Sequence, residues 1–385
     1  MQPILRVGLA GLGTVSRQIR RALAASPGAR LAAAADLRPA VRQEFAAASG
    51  LPVYDTVEAM CRGADIDAVW VATPNEFHCA HAVAAAAAGR HVICEKPLAV
   101  SLAEAESMIA AAAAAGVQLV QGGSKVYQPP VRALREIVAG GRLGRVVQVA
   151  SLNYNDWLQR PRLAAELDAG RGGGIVLRQG PHMVDIVRAI VGDRVWRVRA
   201  ATGRWDAALP AEGNFAAFLE FEQGAVASLT LDGYGWFDAS ELTWGIGEGG
   251  QQRDLATLRR ARARRTRPLS EAEKYAAPAG RRAPLAEASE ARRMPFYGLT
   301  IVSCERGTIR QSPDGLLVYG PDGCEEIVLP PPPPGSPELA ELRSSLAENR
   351  PAHPGGEWGR DTLAICLAIR RSAERGTDVA PEDCA

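Results

Sequence analysis

Short apolar runs and helix-patterned stretches alternate through the first 122 residues. Runs at 4–10, 31–35, 53–54, 67–72, 91–94 and 117–120 read as strands. Between them, helical periodicity runs from the first glycine turn to Ala24 and then over 41–48, 57–62, 78–88 and 101–115. Most of the strands are apolar along their length, as strands covered on both faces must be. Ser101 and Glu104 make a capping-box pair at the start of the last of these helices. Such alternation predicts an α/β domain over residues 1–122, built on a doubly wound, mainly parallel sheet. In that architecture ligands bind beyond the carboxyl ends of the strands.

The residues expected at that edge carry chemistry. Gly11-Leu12-Gly13-Thr14-Val15-Ser16 follows the first strand and opens a helix, the arrangement of a dinucleotide-binding turn. Gly11 permits the turn, Gly13 lets a diphosphate reach the backbone, and Ser16 keeps helix and strand close. The helix start at Thr14 and Val15 offers N–H groups and positive dipole. Asp36 ends the second strand where an acid for the ribose hydroxyls belongs and favours NAD; Arg38, two residues on, keeps NADP open. Thr73-Pro74-Asn75 breaks the fourth strand, Glu95-Lys96-Pro97 the fifth and Gly122 the sixth. A lysine at the end of a buried strand snorkels, pairs with a carboxylate, or has its charge used. Its place among the other edge residues makes Lys96 a candidate site residue. His78 and His81 share a helix face, but the further ligands of a zinc site do not stand out, so no metal is expected.

Bulk properties bound the rest. The chain has 385 residues, enough for two domains. Its formal net charge of +1 gives no global field for nucleic acid or an anionic membrane. No apolar stretch approaches the roughly 20 residues of a membrane span. Seven cysteines without a Cys-x-x-Cys pair, and a start with no signal-type segment, lead to the expectation of a cytoplasmic protein with reduced thiols.

Residues 123–385 read as a second, α+β domain. Strand-like runs at 195–201, 214–221, 225–232, 241–245, 298–304, 308–311, 316–319 and 325–329 follow one another in series. They indicate a large, mostly antiparallel sheet, expected to cover the nucleotide edge and to supply the surface of a homodimer or homotetramer. A helix is expected from the glycines at 172–174 to about residue 190. An arginine-rich insertion at about 249–297, with Arg-Arg-Ala-Arg-Ala-Arg-Arg at 259–265, lacks the aromatic interleaving of a nucleic-acid surface. A polyproline link at 330–334 leads to C-terminal helices from about 337.

Ala72-Thr73-Pro74-Asn75 with His78, followed by Glu95-Lys96-Pro97, resembles the Gfo/Idh/MocA oxidoreductases, with a Rossmann-type nucleotide domain. The resemblance implies that Thr73, Pro74, Asn75 and His78 line the nicotinamide, that Lys96 reaches the reacting hydroxyl, and that the Lys96–Pro97 bond is cis. In the stretch from Gly172 to Asp185, His182 matches the family's catalytic histidine and Asp185 the acid one turn later, but Arg178 stands where the family has an aspartate. Arg178 suits a substrate carboxylate, with Lys125, Arg160 and Arg162 as further cations; alternatively it pairs with Asp185 or Glu166. Segments at 178–182, 303–307, 310–316 and 353–359 resemble the phthalate 4,5-cis-dihydrodiol dehydrogenase branch. The expectation is an NAD(P)-dependent dehydrogenase acting on an anionic ring diol. A sugar or glycoside dehydrogenase, and a non-catalytic NAD-binding sensor or scaffold, are the alternatives.

Overall fold

The computed structural model describes residues 3–207, 209–259, 268–276 and 293–384. Most of the arginine cluster, from 260 onward, lies outside these residues. The chain forms two compact units, 1–124 with 333–363 and 125–332 with 364–384.

The first unit holds a six-stranded sheet in the order β3-β2-β1-β4-β5-β6, with every pair parallel. The strands are β1 Leu5–Ala10, β2 Ala29–Ala35, β3 Val53–Tyr54, β4 Ala68–Val71, β5 His91–Cys94 and β6 Leu119–Gln121. The order reverses between β1 and β4. Val7, Leu9, Trp70, Ile93 and Val120 are buried in the core. Register sets the edge level: Ala10 is opposite Ala35 and Val71, Val71 opposite Cys94, and Cys94 opposite Gln121. Residues 333–363, read from sequence as part of the second domain, cluster with this unit. Their helix Pro337–Glu348 buries Leu339 and Leu342 in the same core, where Ala352 joins them.

The second unit holds an eight-stranded sheet, β14-β13-β12-β11-β7-β10-β9-β8. Its strands are β7 Val146–Tyr154, β8 Val195–Gly203, β9 Asn214–Phe221, β10 Val226–Asp232, β11 Leu299–Cys304, β12 Gly307–Ser312, β13 Gly315–Gly320 and β14 Gly323–Val328. All neighbours are antiparallel except β10 and β7. Phe215, Leu219 and Phe221 of β9 and Ala227, Leu229 and Leu231 of β10 alternate inward, giving this sheet one buried face. The buried helix Gly180–Val191 packs against β7 and β10.

Two local expectations are corrected. The strand expected at 241–245 is a 3-10 turn, Ala239–Leu242. Asp238 accepts hydrogen bonds from the Ser240 N–H at 3.0 Å and its hydroxyl at 2.6 Å, and Trp244 takes φ 53°. Local side-chain capping overrides the apolar alternation there. The single helix expected through 190 is broken at Gln179 into Ile175–Arg178 and Gly180–Val191. Pro181 has no N–H to continue the first helix. Among the described residues no helix is long and apolar enough to cross a membrane.

Candidate active site

The nucleotide half is built at the carboxyl ends of the six strands. Gly11 turns with φ +92°, and a Cβ there would stand 2.8 Å from the Ala72 carbonyl, so only glycine lets the loops after β1 and β4 approach. The helix Thr14–Ala24 starts at Gly13 without a side-chain cap, and a Cβ on Gly13 would meet nothing within 4 Å. Ser16 is buried, and its hydroxyl donates to the Gly13 carbonyl at 2.6 Å. An open, uncapped helix start beside a strand-end acid fits a dinucleotide diphosphate and ribose.

That acid, Asp36, is 9% exposed. One carboxylate oxygen accepts from the Arg38 N–H and Nε, both at 2.9 Å; the other accepts from the Leu12 N–H at 2.9 Å and Arg38 Nη2 at 2.8 Å. Burial pushes its pKa up, but these hydrogen bonds outweigh burial and hold the carboxyl below its usual value.

Between β4 and β5, side chains fasten the two strand-end loops together. Asn75–Phe77 forms a 3-10 turn, and Asn75 is buried. His78 is 1% exposed, with Nδ1 2.9 Å from the Pro97 carbonyl and Nε2 3.0 Å from the Thr73 carbonyl. A neutral imidazole has one N–H and donates to one of these at a time; the protonated ring serves both. The Thr73 hydroxyl meets His81 Nδ1 at 3.0 Å. The Lys96–Pro97 bond is cis, as the family resemblance implies. Glu95 accepts from Trp70 Nε1 at 3.3 Å and lies against the Gly122-Gly123 turn. Burial and the nearby Glu338 carboxylate push the Glu95 carboxyl up to about 7, against the pull of Lys96.

The second unit carries the remaining candidates. Gly173 lies so close to Asp168 that a Cβ would stand 2.6 Å from its backbone N and O, and this packed turn delivers the helix Ile175–Arg178. Arg178 donates to Glu166 at 2.8 Å, so the Glu166 pairing, one of the two alternatives for this arginine, is present. Arg162 also donates to Glu166, at 3.2 Å, and its guanidinium lies 4.4 Å from the Trp157 ring centre. Lys274 donates to the other Glu166 oxygen. Burial pushes Glu166 up, but these three cations outweigh it and hold the carboxyl well below the usual range. Arg160 pairs with Asp156 at 2.8 Å.

His182, 8% exposed, lies in the first turn of the helix Gly180–Val191 and meets Tyr297 edge-on, with ring centres 5.0 Å apart. The Tyr297 hydroxyl donates to Gln179, with its backbone carbonyl at 2.9 Å and side-chain oxygen at 3.1 Å, and Lys125 Nζ lies 5.4 Å from the Tyr297 ring centre. Burial pushes the Tyr297 phenol well above its ordinary value, so it stays protonated and donating. Asp185, one turn beyond His182, is 1% exposed, and its charge acts on Cys366. Within this unit Arg178, Arg162 and Glu166 are therefore assembled together, as are Lys125 and His182 about Tyr297. Sequence reasoning missed Lys274, Tyr297 and the partner role of Trp157. For Lys274 the available signal was Ser270-x-x-Glu273, a capping box just before the lysine; for Tyr297 it was an aromatic between a proline and the glycine that opens β11.

An NAD-binding strand–turn–helix in a parallel sheet, followed by a unit whose helices carry Arg178 and His182 beside a mostly antiparallel sheet, is the arrangement of an NAD(P)-dependent dehydrogenase. The oxidoreductase family described by its NAD-binding Rossmann fold matches residues 5–123, and the GFO/IDH/MocA C-terminal domain matches 131–247. The 1-carboxy-3-chloro-3,4-dihydroxycyclohexa-1,5-diene dehydrogenase of Comamonas testosteroni is 33% identical over 95% of this chain and 94% of its own. The trans-1,2-dihydrobenzene-1,2-diol dehydrogenase of Oryctolagus cuniculus is 32% identical over 45% of this chain and 51% of its own. A chain from Bordetella bronchiseptica RB50, solved as a candidate dehydrogenase, is 39% identical with a TM-score of 0.87 over 98% of this chain and 99% of its own. The chain belongs to the Gfo/Idh/MocA oxidoreductase family.

Two outcomes follow from this geometry. Asp36→Ser releases Arg38 from its ion pair and removes the acid that repels a 2′-phosphate. Steady-state kinetics with both cofactors will show the NADP/NAD ratio of kcat/KM rising about tenfold or more. For Glu95, the folded carboxyl keeps its proton up to about 7, while the unfolded one loses it in the ordinary carboxyl range. Stability from this group is therefore full below that range and lost as pH rises to about 7. Denaturant melts of Glu95→Gln at pH 5 and pH 7.5 will show a smaller loss over that interval than the wild type.

Proposed function

We propose that the protein oxidises a ring secondary alcohol of a carboxylated cis-dihydrodiol, such as the phthalate 4,5-dihydrodiol, with NAD(P) as hydride acceptor. The observation that carries this reading is the cationic cluster of Arg162, Arg178 and Lys274 about one buried carboxylate, Glu166, with Arg178 at the position where the family resemblance implies an aspartate. An arginine fork binds a carboxylate through two parallel hydrogen bonds, an interaction a neutral sugar cannot make. Its full-length likeness to a dehydrogenase named for a carboxylated dihydroxycyclohexadiene supports the same class.

The bound nicotinamide supplies the hydride-accepting carbon. Lys96 hydrogen-bonds the reacting hydroxyl and stabilises the developing alkoxide by charge, or takes its proton. His182 acts as general base or relay, and Tyr297 fixes the edge of its ring. Arg178 holds the substrate carboxylate, with Arg160 and Lys125 as further cations, and Asp185, one helical turn beyond His182, completes the substrate-binding set. Loss of hydride and proton from the ring carbinol gives a ketone that tautomerises to the catechol.

The test is NAD reduction by the phthalate dihydrodiol against a panel of neutral sugars and polyols. The diol is expected to give the higher kcat/KM, and a preference for the sugars would sink the reading. Lys96→Met is expected to abolish turnover while NADH still binds. Arg178→Ala is expected to raise KM about tenfold or more for carboxylated diols; equal losses on neutral substrates would remove the anion clamp.

A further inference from the structure

The insertion between β10 and β11 has a built connection to the group of Arg162, Arg178 and Glu166. The Leu269 N–H donates to the Arg162 carbonyl at 2.8 Å, and Leu269 forms a parallel bridge with Leu163. Ser270 and Glu273 then close a capping box: the Glu273 N–H donates to the Ser270 hydroxyl at 3.2 Å, and the Ser270 N–H to Glu273 at 2.8 Å. The box fixes the start of the short helix Glu271–Ala276 and delivers Lys274 to Glu166. The side chains involved are 7% exposed for Glu166, 14% for Lys274, 15% for Arg162 and 21% for Arg178. One carboxylate thus serves three enclosed cations. Burial lowers Arg162 to about 10 and lowers Lys274 as well, and the cations' mutual repulsion adds to both shifts, despite the attraction of Glu166.

A second anion among these groups would relieve that repulsion, and the arginine planes suit an oxyanion fork. We propose that Lys274, brought by the insertion, completes a carboxylate subsite with Arg162 and Arg178 and determines selectivity for anionic rings. Glu166 is the resident counter-ion that keeps the three cations in place. Pro268 to Lys274 is then the selectivity element of the insertion, and the chemistry it recognises is a ring carboxylate. This inference rests on the reading of the substrate as a carboxylated ring diol.

The experiment is calorimetric binding of phthalate, and of its uncharged dimethyl ester, to the NADH-loaded full chain. Wild type is expected to prefer phthalate. Lys274→Met is expected to weaken phthalate about tenfold or more, with NADH affinity reporting that the variant is folded, and Lys274→Arg to restore most of the loss. Phthalate held as tightly by Lys274→Met as by wild type overturns the role of Lys274 and leaves the carboxylated-substrate reading standing. Wild type binding ester and phthalate equally overturns both.

Discussion

Backbone hydrogen bonding in the parallel sheet carries the register one step past the strands themselves. Gly11 donates to Ala35, Ala72 to Ala10, Glu95 to Val71, and Gly122 to Cys94, at 2.7 to 3.0 Å. These bonds lie at one level because the strands run in one direction and pair without offset at their carboxyl ends. Each residue just past a strand is consequently aligned with its counterpart across the sheet. The glycine turn, the ribose-side acid, the Thr73 loop and the Glu-Lys-Pro loop owe their common edge to this ladder, and His78 fastens two of those loops by bridging Thr73 and Pro97. Shifting β1 by one residue would bring a side chain to the place of Gly8, where a Cβ would stand 2.9 Å from Ile66.

The nucleotide edge was legible in the sequence for that reason. Its members are punctuation: a glycine, a proline or a charge directly after an apolar run. Nothing beyond chain order was needed to align them. The second unit was less legible because its contacts join residues far apart. Glu166 meets Lys274 across 108 positions, and Tyr297 meets Gln179 across 118. Arg178 could be seen to stand where the family has an aspartate, but that Glu166 is its partner required coordinates. The turn at 239–242 was misread because Leu242 and Trp244 imitate strand alternation, while a single aspartate cap decides the backbone. The return of 333–363 to the first unit was hidden for a different reason. Leu339 and Leu342 show that a helix has a buried side, but not which core receives it.

The two units handle buried charge in opposite ways. Around Glu95 and Glu338, like charges meet under a glycine turn, and the result is a carboxyl that keeps its proton near neutrality. Around Glu166, opposite charges meet, and the carboxylate is ionised far below the usual range while the charged forms of Arg162 and Lys274 are destabilised. The same desolvation acts in both places; the sign of the neighbours decides the outcome.

Asp36 has a consequence of another kind. Its two oxygens already accept four hydrogen bonds, three of them from Arg38. A ribose diol that engages this carboxylate therefore enters by substitution, and the guanidinium is the leaving partner. Cofactor affinity is then a difference between two sets of bonds to one acid, so a tighter Asp36–Arg38 pair would make a weaker holoenzyme.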